Sequence, residues 1–171
     1  SVPATVKDKS PPPPPSGLTA EFEGELDDPG SADDNPMVLE FKYGEDLVNQ
    51  ARDLSSFRIY LDAGDVESPS GDADYTIKGL HGDDGPNWQD AAVDQEGVSV
   101  TVIPPIEGSP NEEDDQPNEK RARRVRVEGI TGPSAEDEEN EYHWHTTAFV
   151  RAVDDSENKS KPATDVATFV E

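Results

Sequence analysis

Apolar side chains recur at every second position along much of this chain, and that period leaves little choice of secondary structure. Met37, Leu39, Phe41 and Tyr43 stand two apart, as do Phe57, Ile59 and Leu61, and Val98, Val100 and Val102. A period of two sends alternate side chains to opposite faces of a pleated strand, one toward a core and one toward water. The same pattern predicts a strand over residues 18–26, where Leu18, Ala20, Phe22 and Leu26 alternate with Glu21, Glu23 and Glu25 and Gly24 marks a bulge. Further strands are expected at Tyr75–Leu80, closed by the turn residues Gly82–Pro86, and around Val125 and Val127. Tyr142–Val153 is the longest, Asp165–Val170 ends the series, and Pro104-Pro105 stops the valine strand. Only Leu47, Val48, Ala51 and Leu54 fall at helical spacing, predicting one short helix over Glu45–Leu54.

Eight or nine short strands between turns rich in Gly, Pro and Asp, with no regular alternation of strand and long helix, predict an all-β antiparallel β-sandwich. The doubly wound and barrel α/β folds are excluded by the same count. Residues 18–171 are assigned to this sandwich and residues 1–17 to an extended tail. Pro11–Pro15 favour polyproline II, a stiff spacer. Ahead of them Val2, Ala4 and Val6 alternate with Pro3 and Thr5, a short strand pattern that the spacer would hold away from its neighbours in sequence.

Charge restricts partners and solvent. The 171 residues hold 39 Asp and Glu against 14 Lys and Arg, a net charge of −25, and no cysteine. Each phosphate contact needs a cation, so nucleic acid is excluded as a partner, and anionic membranes are disfavoured by the same sign. No run approaches the roughly 20 apolar residues of a membrane span, and disulfides, thiolate metal sites and a cysteine nucleophile are absent. Low hydrophobicity with high charge is also the composition of disordered chains. The distribution argues otherwise: acids gather between the alternating segments, as at Asp27-Asp28, Asp33-Asp34, Asp83-Asp84, Glu112–Asp115, Glu136–Glu139 and Asp154-Asp155. Such a surface repels itself at low ionic strength, and near 1 M salt the Debye length falls to about 3 Å. The expectation is a folded protein working in brine, and the balance of Asp over Glu with scarce Lys resembles that of halophilic archaea. An ordinary acidic extracellular domain is the alternative.

Residues Phe149–Phe169 carry a resemblance to a known family. A strand ending in Ala152-Val153, a polar turn with Asn158 and Ser160, then Pro162-Ala163 and a Val/Thr strand, resembles the last hairpin of fibronectin type III and related immunoglobulin-like domains. The likeness spans about 20 residues, and the chain departs from the family in length and in lacking an early core Trp. It implies a sandwich used for structure or adhesion, with immunoglobulin-like and jelly-roll-like arrangements both open.

Several residue sets invite chemistry. His143 and His145 share a strand face, so both imidazoles could reach one metal, with His81 or a carboxylate as third ligand; a solvated strand face is the plainer reading. Asp27, Asp28, Asp33, Asp34, Asp83 and Asp84 supply the hard oxygens Ca²⁺ takes, but none has EF-hand spacing. Calcium is thus the one cofactor considered, and none is required. Arg121, Arg123, Arg124 and Arg126 form the basic cluster, expected to neutralise Glu112–Asp115 or to meet an acidic face of a neighbouring subunit. Asn158-Lys159-Ser160 is an N-glycosylation sequon. No Gly-x-Ser-x-Gly elbow or phosphate-cradling Gly loop occurs.

The expectation drawn from these features is a non-enzymatic, extracellular or cell-surface structural subunit of a filament, pilus or surface layer. It would assemble with itself head to tail as Val2, Ala4 and Val6 add to a neighbour's sheet. A stand-alone adhesion or carbohydrate-binding module, calcium-stabilised, is the second reading, and a His-metal enzyme a distant third.

Overall fold

A computed structural model describes residues 11–22, 36–43, 54–80, 91–103, 123–136, 139 and 143–170. Ten strands follow in chain order: β1 (Ser16–Phe22), β2 (Met37–Tyr43), β3 (Leu54–Ala63), β4 (Tyr75–Lys78), β5 (Ala92–Val93), β6 (Ser99–Ile103), β7 (Arg123–Ile130), β8 (Ala135–Glu136), β9 (His143–Asp154) and β10 (Ala163–Val170). They form two antiparallel sheets, one ordered β1-β2-β7-β6 and the other β10-β9-β3-β4-β5 with β8 beside β9. The expected β-sandwich is therefore the architecture, and its longer strands overlap the segments where the side chains alternate, while the two-residue β5 and β8 were not expected.

The inward side chains make the core. Leu39, Phe41 and Tyr43 of β2 and Val125 and Val127 of β7 meet Phe57, Ile59 and Leu61 of β3 and Ala148, Val150 and Ala152 of β9. Alanines on β9 leave room for aromatic rings opposite. Phe57 meets Phe41 and Tyr43 edge to face, with centroids 4.9 and 5.3 Å apart, contacts worth about 0.5–1.5 kcal/mol each beyond their buried area. They tie the two sheets together without a disulfide.

Three irregularities shape the sheets. Met37 opposes Ile130 while Val38 opposes Glu128, so Gly129 is the extra residue of a bulge. Its φ is +84°, and a Cβ there would lie 2.1 Å from the carbonyl oxygen of Gly97, so only glycine lets the turn before β6 approach β7. A second register shift, between Ser16 and Thr19, contains Gly17 at φ +62°. The third falls between Leu54 and Ser56.

Two expectations need correction and others lie elsewhere. Leu54, expected to end a helix, opens β3; the rest of Glu45–Leu54, with Gly24 and Leu26, falls outside the described residues. No helix occurs among the described residues. The proline run does not stand off the sandwich. Pro12 and Pro15 are buried, as is Leu18 of β1, and the Tyr43 hydroxyl donates to the Pro13 carbonyl at 2.9 Å. Three residues per turn put positions 12 and 15 of a polyproline helix on one side, which explains a seated face in a segment whose composition reads as a spacer.

Candidate functional site

An open sandwich has two lateral sides where edge strands end the sheets, and here they differ. On one side β1 ends the first sheet and β10 the second. Alternation on β10 points Ala163, Asp165 and Ala167 inward, opposite Val150, Ala148 and Thr146 of β9, so a carboxylate occupies a core-facing register. It is not stranded there, because the Ala20 N–H donates to Asp165 Oδ2 at 2.7 Å. An inward charge that binds a neighbouring strand's amide protects an edge, and it links the two sheets.

The other side is less complete. β6 pairs with β7 from Ser99↔Glu128 to Ile103↔Arg124 and has no strand on its far side among the described residues. Facing it, the second sheet ends in the two-residue β5. Val93, Val98, Val100 and Val102 pack against the core yet are only half-buried, whereas Val125 and Val127 on β7 are 1% and 0% exposed. The same residue type at the same inward phase thus loses its cover on moving one strand outward. Near the end of this side, Asp74, Tyr75, Lys78, Val93, Asp94 and Gln95 line a shallow cleft of about 150 Å³, smaller than ordinary ligand pockets.

The basic strip lies on the outer face of the first sheet. Arg124 Nε sits 3.1 Å and Arg126 Nη1 3.5 Å from the Glu40 carboxylate, and Arg126 also pairs with Glu128. With Lys42 beside Arg124, this patch sets Lys42, Arg124 and Arg126 against Glu40 and Glu128 and is locally basic within an acidic protein. Arg124 and Arg126 meet Glu40; Glu112–Asp115, expected as partners of the cluster, lie outside the described residues along with Arg121. These part-exposed pairs contribute about 0–1 kcal/mol each and weaken as salt rises. Arg123 belongs to β7 opposite Tyr43.

His143 and His145 occupy the outer phase of β9, as alternation places them, with His145 Nδ1 3.1 Å from Thr168 Oγ1. No group of three metal-binding side chains occurs among the described residues. His81 and the aspartates at 27, 28, 33, 34, 83 and 84 lie outside those residues, as do Val2, Ala4 and Val6.

The sequon residues build the turn between β9 and β10. Asp154, 2% exposed, accepts from Ser156 N–H (3.0 Å), Asn158 N–H (2.8 Å) and Asn158 Nδ2 (3.0 Å). The Ser160 hydroxyl, 1% exposed, accepts from Ala152 N–H and donates to the Lys161 carbonyl. In this fold the Asn158 amide nitrogen is engaged by a buried carboxylate.

Sequence reasoning missed Asp165 and the half-covered valines of β6. A signal for the first existed, an acid at an inward phase between two alanines; for the second there was none, because alternation does not say which strand ends a sheet. Comparison with known proteins adds no relative: no protein-family model, curated protein or solved structure matches the chain.

Proposed function

We propose that this protein is a non-enzymatic structural subunit of an extracellular filament, pilus or surface layer, assembled as the N-terminal segment of one copy adds as a strand to the sandwich of the next. The observation that carries the reading is the alternating segment Val2-Pro-Ala-Thr-Val6 beyond a proline run whose base is anchored on the sandwich at Pro12, Pro13 and Pro15. Backbone pairing to a free edge supplies affinity, and alternate side chains filling the sandwich supply register. A donor and an acceptor at different places on one subunit make a heterologous contact, which propagates head to tail.

Strand order supports the structural reading. With β4 and β5 taken as additions beside β3, and β8 set aside, the order β1-β2-β7-β6 over β10-β9-β3 corresponds to the A-B-E-D and G-F-C sheets of immunoglobulin constant-type sandwiches. Such a scaffold hosts many functions, so the role rests on the tail and the edges. The −25 charge is the reason to place assembly in concentrated salt, where repulsion between subunits is screened.

Electron microscopy and sedimentation in molar salt test the proposal. The full chain should form filaments that loosen on dilution of the salt, and a chain lacking residues 1–10 should remain monomeric. Filaments of unchanged length from the shortened chain would refute strand donation.

A further inference from the structure

We infer that the acceptor is the outer edge of β6 and that its occupant is Val2–Val6 of a second copy of this chain; the inference rests on the strand-donation reading above. Three observations lead to it.

The first is where cover is missing. Val98, Val100 and Val102 are half-buried beside fully buried Val125 and Val127, and the far edge of β6 is unpaired among the described residues. An added strand would satisfy that edge and extend the apolar inner layer by one row. The remaining edges fit less well. Ala20 of β1 already gives its N–H to Asp165, β5 has two residues, and the inward positions of β10 hold Ala163, Asp165 and Ala167.

The second is the match of pattern. β6 offers five residues with valines at every second position, and Val2-Pro-Ala-Thr-Val6 is five residues with Val, Ala and Val at every second position. In a strand, residues of one phase share a side-chain face and also direct their N–H and C=O groups to one edge. If Val2, Ala4 and Val6 face the core layer, their amides are the ones turned to a single edge, and Pro3 belongs to the opposite edge. When the segment runs in the direction that turns this edge to β6, the paired edge keeps every donor. Pro3, without an N–H, lies on the solvent edge, where proline is tolerated and blunts further pairing.

The third is where the donor lies. The proline run leads into β1, at the other end of the order β1-β2-β7-β6 from the open edge of β6. Donor and acceptor therefore sit on opposite sides of one subunit, and pairing between two copies is head to tail, as the strand-donation reading requires.

The absence of native cysteine allows a clean crosslinking test in molar salt. Thr5 and Thr101 are both of the solvent phase, so the double variant Thr5→Cys/Thr101→Cys should give a ladder of disulfide-linked multimers on mild oxidation. Thr5→Cys/Thr168→Cys, which pairs the segment with β10, should give none. A ladder from the Thr168 pair alone would overturn the β6 assignment and leave strand donation standing. A crosslinked monomer from the Thr101 pair would show that each chain fills its own edge and overturn the inference. No ladder from either pair would also overturn it, and filaments persisting without residues 1–10 would show that strand donation itself fails. Hydrogen exchange on the unsubstituted chain gives an independent readout: the amides of β6 turned to its outer edge should exchange at least about tenfold more slowly in the full chain than in the shortened one, and equal rates would refute occupancy of β6.

Discussion

The two lateral sides of this sandwich are built from the same kind of strand and finished differently. Where β1 meets β10, an inward carboxylate on Asp165 holds the Ala20 amide, and Pro12 and Pro15 are buried beside Leu18. Where β6 meets β5, valines of the inner layer remain half-covered. Edge strands carry unpaired backbone groups on any open sheet, and proteins ordinarily protect them with charges, prolines or bulges. Among the described residues these protective devices gather on one side, and the other is the side we propose for pairing.

The largest effect is expected where the open side is positioned. Gly129→Ala forces a Cβ against the Gly97 carbonyl and an alanine into φ +84°. It should destabilise the protein by about 3 kcal/mol or more, measured by denaturant melting in constant salt. A near-neutral result would mean that the turn before β6 is free to move away, and the open side would not be a defined surface.

Breaking the closed side should cost less. Asp165→Ala removes the acceptor for a part-buried amide, with an expected loss of about 1–2 kcal/mol and faster exchange of the Ala20 N–H. Unchanged exchange there would remove the basis for treating the sides as different. Smaller still is Tyr43→Phe, which deletes the hydroxyl bonded to Pro13. About 1 kcal/mol should be lost, with earlier proteolytic cleavage ahead of β1 and no change in strand content by circular dichroism. A proline run equally protected in that variant would show that burial of Pro12 and Pro15 alone seats it.

Much of the sandwich was legible in the chain because alternation is a local signal. Met37–Tyr43 was recovered to its ends, and the strands around Phe57, Val100, Val125 and Ala148 were located with boundaries off by one to a few residues. β5 and β8 were not found, since two residues carry no measurable period. The proline run was misjudged for a related reason. Composition reports that Pro11–Pro15 favour an extended helix, but burial of one face depends on Tyr43 and β1 arriving alongside. The arginine cluster was visible as charge, whereas its partner Glu40 came from the register of β2 on β7.

By itself the sequence determined that this protein is built from short antiparallel strands with an acidic exterior, because side-chain phase and charge belong to each residue wherever the strand lies. Tertiary structure alone decided which strands became edges, which valines lost their cover, and that Asp165 would face Ala20 across the closed side. Those properties depend on the order of strands in space, and alternation of period two is the same for a central strand as for an edge.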